Sequence, residues 1–461
     1  MDGGPPSMTS RLLAGIALFL ACSASVLPLV ARDPEYRPVD DRPELPEARL
    51  KMVAIERYES PRLRLYSDIA ADLAQPLPPL ADQLYAALEK TFGPLPPDPK
   101  GKEFQVTAYL MKDKQKFLEN GLINEQIRSF EIGQHLGYQF WMFEQEYDYY
   151  RRHLLLHEYT HCFMLATKPA VRDRPGLWYL EGMAEVFGTH RLDPQGKLTF
   201  GIMPASAKET TGLGRIEMIQ HAIARGDFLT VADVQTLGAA AFTKSRSDPY
   251  AWSWALCQFL GTHPRYAERF RKLHQHVTDG EFDSTFRDEF GPDADQWRWE
   301  WEWFITDLVY GSDIARGAIE FGAGQPLEKP RTLSVDPARS WQSTGIHFAA
   351  HDRFTVSATG RVTVNKTSKP WVCEPQGITF EYEAGHPLGQ LLGWILPDAP
   401  DRVAHDLRVA VLPLGRGGTF EAPRAGTLYL RVNDHANDRA NNAGRFDVTI
   451  SPGRDQGGAS K

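Results

Sequence analysis

The stretch that decides the fold is His157-Glu158-Tyr159-Thr160-His161, followed after nineteen residues by Glu181-Gly182-Met183-Ala184-Glu185. Residues four apart lie on one face of a helix, so His157 and His161 can hold one metal ion from the same side. Glu158 sits beside the first of these histidines and faces the coordination position they leave open. Zinc-assisted hydrolysis requires two neutral imidazoles, a third protein ligand and a carboxylate that deprotonates a water. Glu181 supplies the third ligand. Glu185, one helical turn further on, is placed to orient a metal-held imidazole through its other ring nitrogen.

The chain around these motifs has 461 residues, more than one ordinary core holds, so two folded domains are expected. Charged residues make up 24% and hydrophobic ones 42%, and the net charge is −8. This composition is globular and lacks a basic stripe, which argues against a nucleic-acid partner. Eleven Trp and sixteen Tyr are many, with clusters at 138–150 and 297–303. Packing against helices accounts for them, and a groove for peptide or sugar is the alternative. Of the four cysteines, Cys22 falls in the leader. Cys162, Cys257 and Cys373 are then odd in number and cannot pair completely within one molecule. The Cys162 side chain points about 100° away from that of His161 around the helix axis, so it reads as a small buried hydrophobe.

Residues 1–31 carry an export address. Arg11 precedes the apolar run Leu12–Leu20, and Cys22-Ser23-Ala24 offers small residues for cleavage. A cleaved signal peptide is the leading reading, while a retained membrane anchor over Leu12–Ala31 and a lipoprotein site at Leu20-Ala21-Cys22 stay open. Each implies export, to the periplasm, the envelope or the medium. Residues 32–48 read as a tether, 49–325 as the catalytic domain, 326–335 as a linker, 336–452 as a second domain and 453–461 as a flexible tail. Alternation predicts strands over Arg62–Ser67, Phe104–Leu110 and Gly137–Met142, the last just ahead of the HEYTH helix, and helical spacing covers Leu80–Phe92. Helices are expected over Ile216–Ala224, Tyr250–Leu260, Pro264–His276 and Asp293–Val309. From Thr332 the texture changes to short alternating runs, among them Phe354–Ala358, Leu407–Leu412, Thr427–Val432 and Phe446–Ile450, which predict a β-sandwich.

HEYTH, the nineteen-residue spacing and Trp178-Tyr179-Leu180-Glu181-Gly182-Met183-Ala184-Glu185 together resemble the gluzincin zinc metallopeptidases. They are closest in texture to the bacterial peptidase-MA-like families that carry W-x-x-E-G-x-A-E after HExxH. The resemblance spans roughly residues 50–310 and is specific between Tyr149 and Gly188. It implies an α+β zincin-like catalytic domain, with a small sheet and a mostly helical second half. In that architecture the strand nearest the metal binds an extended substrate by backbone pairing. The resemblance also implies Zn2+ held by His157, His161 and Glu181, with Glu158 as the general base toward an amide carbonyl. Tyr250 lies at a separation from Glu181 similar to that of the oxyanion tyrosine of gluzincin aminopeptidases, and a packed helix-start aromatic is the alternative. Tyr179, His190 and His221 are lesser candidates. The Gly-Ala-Met-Glu-Asn signature of the aminopeptidase branch is missing, which counts against exopeptidase activity.

Leu430-Arg431-Val432-Asn433-Asp434, with Asp438, Asn441, Asn442 and Gly444, supplies hard oxygen donors suited to Ca2+. Thr427–Ile450 resembles the last strands of the bacterial galactose-binding calcium lectins, and Asp434, Asp438, Asn441 and Asn442 match their calcium loop. The resemblance implies an all-β sandwich of lectin-like jelly-roll type. Val364 stands where the lectins have a tyrosine whose backbone carbonyl binds calcium, and His386 matches a sugar-contacting histidine more loosely. An Asn/Asp/Gly-rich turn satisfying its own backbone is the alternative. The combined expectation is an exported zinc metallopeptidase acting on protein or peptide, held near galactose-type glycan and associated with a membrane if its N-terminal segment is retained. A non-catalytic carbohydrate-binding or adhesion protein with a vestigial peptidase scaffold is the other class. A hydrolase of non-peptide amides would share the same metal site.

Overall fold

The computed structural model describes residues 36–40, 42, 44–123, 127, 130–167, 176–244, 248–276, 281–364, 370–398 and 411–453. The leader of residues 1–31, the start of the tether, residues 407–410 of one expected strand and residues 454–461 of the tail lie outside them. No described helix is long and apolar enough to cross a membrane.

The first sheet joins β1 (Glu56–Glu59), β2 (Leu63–Ser67), β3 (Val106–Met111), β4 (Gly133–Leu136) and β5 (Gln139–Phe143) in the order β1-β2-β3-β5-β4. The inner strands β2, β3 and β5 run parallel, and β1 and β4 are antiparallel edges. β3 is buried at every position, as expected of a central parallel strand covered on both faces. Alternation sends Leu65, Ala108 and Phe140 into the large helical core. Tyr66, Tyr109 and Trp141, in register across three strands, face the other way and stack at 5.9 and 5.2 Å. The strand expected over Gly137–Met142 is present as β5, but it is interior. The edge position belongs to β4, which sequence alternation did not reveal.

Helix α1 (Leu77–Phe92) crosses from β2 to β3, and α2 (Asp148–Ala166) follows β5 and carries HEYTH. α2 is buried almost all round, which is why its apolar residues show no single stripe. After α3 (Leu177–Gly188) comes the hairpin of β6 (His190–Leu192) and β7 (Leu198–Phe200), then α4 (Arg215–Ala224), α5 (Asp248–Thr262) and α6 (Ala294–Thr306). α3 and α5 touch at Gly182, where an added Cβ would lie 2.5 Å from both the Ser253 carbonyl oxygen and Cys257 Sγ. The glycine of the Glu-Gly-x-Ala-Glu motif is thus demanded by helix–helix approach, with no special backbone angle involved.

The C-terminal part is β-rich. Its strands are β8 (Gln325–Pro326), β9 (Arg331–Val335), β10 (Gln342–Phe348), β11 (Arg353–Val364), β12 (Trp371–Cys373), β13 (Tyr382–Glu383), β14 (His386–Pro387), β15 (Leu391–Pro397), β16 (Val411–Pro413), β17 (Gly417–Glu421), β18 (Gly426–Val432) and β19 (Ala443–Pro452). One sheet has the order β16-β15-β18-β10-β8. The other has β12-β11-β19-β9, with β17 also paired to β11. Alternate residues such as Val356, Ala358, Leu428, Leu430, Val448 and Ile450 fill the space between them.

The outer face of the first of these sheets is covered by α6. Trp299 and Trp303, four apart on that helix, pack with Trp341, Trp394 and Tyr429. Arg431 inserts between Trp303 and Trp341, 4.9 and 4.4 Å from the ring centroids, and donates to Asp307 Oδ2 at 2.8 Å. Arg439 reaches the same oxygen at 3.3 Å. Asn437 Nδ2 donates to the Tyr310 carbonyl oxygen, and Tyr310 Oη donates to Glu217 on α4 at 2.6 Å. Replacing Asp307 by alanine strands two buried guanidinium groups, so Asp307→Ala is expected to cost about 3–5 kcal/mol. Urea unfolding followed by tryptophan fluorescence measures that loss.

Candidate metal centre

Helix α2 turns His153, His157 and His161, spaced by four, toward α3. His157 Nε2 and His161 Nε2 are 3.1 Å apart, and Glu181 Oε2 lies 3.4 Å from the first and 3.2 Å from the second. A tetrahedral zinc with bonds of about 2.0–2.1 Å spaces its ligands about 3.3 Å apart, so three converging atoms at these distances fit such an ion. All three groups are nearly buried, with side-chain exposures of 7, 4 and 14%.

Glu185 lies behind His157. Its Oε1 is 3.2 Å from His157 Nδ1, close but not aligned as a hydrogen bond, and 3.4 Å from His153 Nε2. Arg215, at the start of α4, donates Nε to Oε2 and Nη2 to Oε1, both at 2.8 Å. Burial alone would raise the Glu185 pKa, but Arg215 and then His153 hold it well below the usual carboxylate range. Glu181 is likewise depressed, since His161 and His157 outweigh its burial. His157 is pushed up to about 10, because Glu181 and Glu185 overcome the opposing effect of burial. His161 is lowered, by burial first. A cation arriving at His157 Nε2 must therefore displace a proton.

Glu158 faces the edge strand. Its Oε2 is 3.3 Å from His135 Nδ1 on β4, and the His135 ring stacks on that of His161 with centroids 4.3 Å apart. An open cleft of about 420 Å3 lies beside these groups, lined by His135, Leu136, Glu181, Phe242 and Tyr250 among others. The Tyr250 ring is 6.0 Å from that of His157 and lies under the Arg215 guanidinium. Burial, then Glu181 and Glu158, raise its pKa, so its hydroxyl stays a proton donor. That hydroxyl makes no hydrogen bond with any described residue.

The lesser candidates lie elsewhere. Tyr179 is buried against His274, His190 Nδ1 pairs with the Gly188 carbonyl oxygen, and His221 is exposed on α4. Cys162, Cys257 and Cys373 are free and buried. Sequence reasoning missed His135, Arg215 and His153. Only His153 had a local signal, its four-residue step before His157.

In the sandwich, Asp434 Oδ1 accepts from His435 N and Oδ2 from Asn442 Nδ2, both at 2.8 Å. Burial, and with it Asp438, raises the Asp434 pKa. Asn442 Oδ1 is a buried acceptor without a hydrogen-bond partner. The register Thr363↔Ala443 sets Val364 opposite Asn442, and Asn433 Nδ2 donates to the backbone oxygen of His386. Asp434, Asp438, Asn441, Asn442, Val364 and His386 thus share one end of the sandwich, with Asn441 on a 3-10 turn after Asp438 and exposed. The crowded carboxylate and the orphaned amide oxygen are donors of the kind Ca2+ takes.

No family model matches the sequence, and no curated protein matches it. A solved chain described as "EclA N-terminal domain; PllA-like lectin" is similar at 23% identity, covering 26% of this chain and 95% of that one, with a TM-score of 0.21.

If His157, His161 and Glu181 hold zinc, Arg215→Met is expected to weaken its binding about 10–100-fold, because Glu185 loses the partner that fixes it behind His157. Chelator competition measures this. A zinc ion taken up there would also displace the His157 proton, and its binding would tighten as the pH rises toward 10, the value to which His157 is raised. Calorimetry in buffers of different ionisation enthalpy counts those protons.

Proposed function

We propose that this chain is a zinc-dependent metallopeptidase of gluzincin type. The reading rests on one observation, the convergence of His157 Nε2, His161 Nε2 and Glu181 Oε2 at 3.1–3.4 Å beside Glu158 and an open cleft. A zinc ion bound there would supply Lewis acidity to a carbonyl and acidify a water. Glu158 takes the proton from the attacking water and delivers it to the leaving amine. Tyr250 donates its hydroxyl hydrogen bond to the developing oxyanion. Glu185, held by Arg215, keeps the His157 ring turned so that Nε2 faces the cleft. The edge strand β4 offers its free side to an extended peptide, in the manner of strand addition.

The C-terminal sandwich is read as a lectin-like module. Asp434, Asp438, Asn441, Asn442 and the backbone of Val364 would hold Ca2+, and His386 would stand near a galactose-type glycan. The N-terminal segment is read as an export signal or anchor that delivers the protein to envelope or extracellular substrates.

The test compares wild type, Glu158→Gln and Tyr250→Phe for zinc content and for cleavage of a mixed peptide library. One zinc per chain is expected in all three. Cleavage should vanish in Glu158→Gln and fall about 10²–10³-fold in Tyr250→Phe. Zinc binding with no hydrolysis by wild type would defeat the peptidase reading. For the sandwich, added Ca2+ should raise the melting temperature of wild type and leave Asp434→Ala unchanged.

A further inference from the structure

We propose that β4 aligns the general base, with His135 as a positioning residue for Glu158 and Gly133 as the residue that lets the strand close on it. This rests on the reading of Glu158 as the base. Gly133 and His135 are two apart on a strand and so point to the same side. That side faces α2, and both residues are half-buried while Gln134 and Leu136 are exposed. A Cβ on Gly133 would lie 2.4 Å from Glu158 Oε1 and 3.0 Å from Leu154 Cδ1, so any larger residue there would push the Glu158 carboxylate out of this position. His135 Nδ1, at 3.3 Å, meets the other carboxylate oxygen. With one oxygen against the strand backbone and the other on an imidazole, the carboxylate cannot rotate freely.

The imidazole is itself fixed. Its ring lies within 27° of parallel to the His161 ring at 4.3 Å, so the orientation of a proposed metal ligand sets the plane of His135. Its side chain keeps 16% exposure and lines the cleft, and Nε2 makes no hydrogen bond with any described residue. The strand offered to the substrate backbone therefore also carries the group that orients the base. A substrate that shifts β4 on binding shifts Glu158 with it.

The zinc-loaded full-length protein tests this in wild type, His135→Ala, His135→Asn and Glu158→Gln. Asparagine keeps an N–H donor close to the position of Nδ1. The readouts are kcat and KM on a peptide that wild type cleaves, zinc per chain, melting temperature and the Kd of acetohydroxamate. Acetohydroxamate is a zinc chelator whose hydroxyl needs an acceptor beside the ion. His135→Ala is expected to keep its zinc and its KM within about threefold and to lose about 10²-fold in kcat, as a misplaced reacting group does. Its acetohydroxamate affinity should fall about tenfold or more, as should that of Glu158→Gln. His135→Asn should recover most of both losses. Wild-type kcat and acetohydroxamate affinity in His135→Ala would overturn the proposal, as would equal losses in the alanine and asparagine variants. Should wild type cleave no peptide, the peptidase reading falls, and the acetohydroxamate series alone decides the role of His135.

Discussion

The helical half of the molecule is organised around one buried carboxylate. Glu185 is almost fully enclosed, and an ionised group there costs several kcal/mol unless it is fully paired. Arg215 answers both of its oxygens from α4, while His153 and His157 approach from α2. Three helices are tied at that point, and the face of α2 that carries the histidines is pressed toward α3. The contact at Gly182 does the same for α5, which brings Tyr250 to the cleft.

The parts legible in the sequence share a physical property. β2 and β3 alternate or run apolar, α4 carries a periodic apolar face, α5 is an apolar run of helical length, and HEYTH and EGMAE concentrate ligands at helical spacing. The illegible parts owe their position to distant partners. β4 is four residues long, with Gly, Gln and His in it and two exposed positions, so no local pattern marks it. His135 meets Glu158 across 23 residues, and Arg215 meets Glu185 across 30. β15, Leu391–Pro397, shows no alternation because one of its faces packs on the sandwich core and the other on α6.

The aromatic residues at 297–303 illustrate the same point from the other side. Their number is legible as packing, but their division is a tertiary fact. Trp301 points into the helical core, whereas Trp299 and Trp303 point out of it toward the sandwich. The four-residue step between the last two is the trace of a second surface, readable only once a partner for it is known.

That surface bears on how such a chain could be remodelled. The sandwich is held by a tryptophan cluster, two arginines sharing one aspartate and a loop hydrogen-bonded to Tyr310, rather than by a tether alone. It is therefore no interchangeable cargo. Exchanging it for another module by recombination would leave α6 with an apolar face fitted to nothing. Any replacement module would have to present an apolar surface that fits Trp299 and Trp303 and cations that reach Asp307.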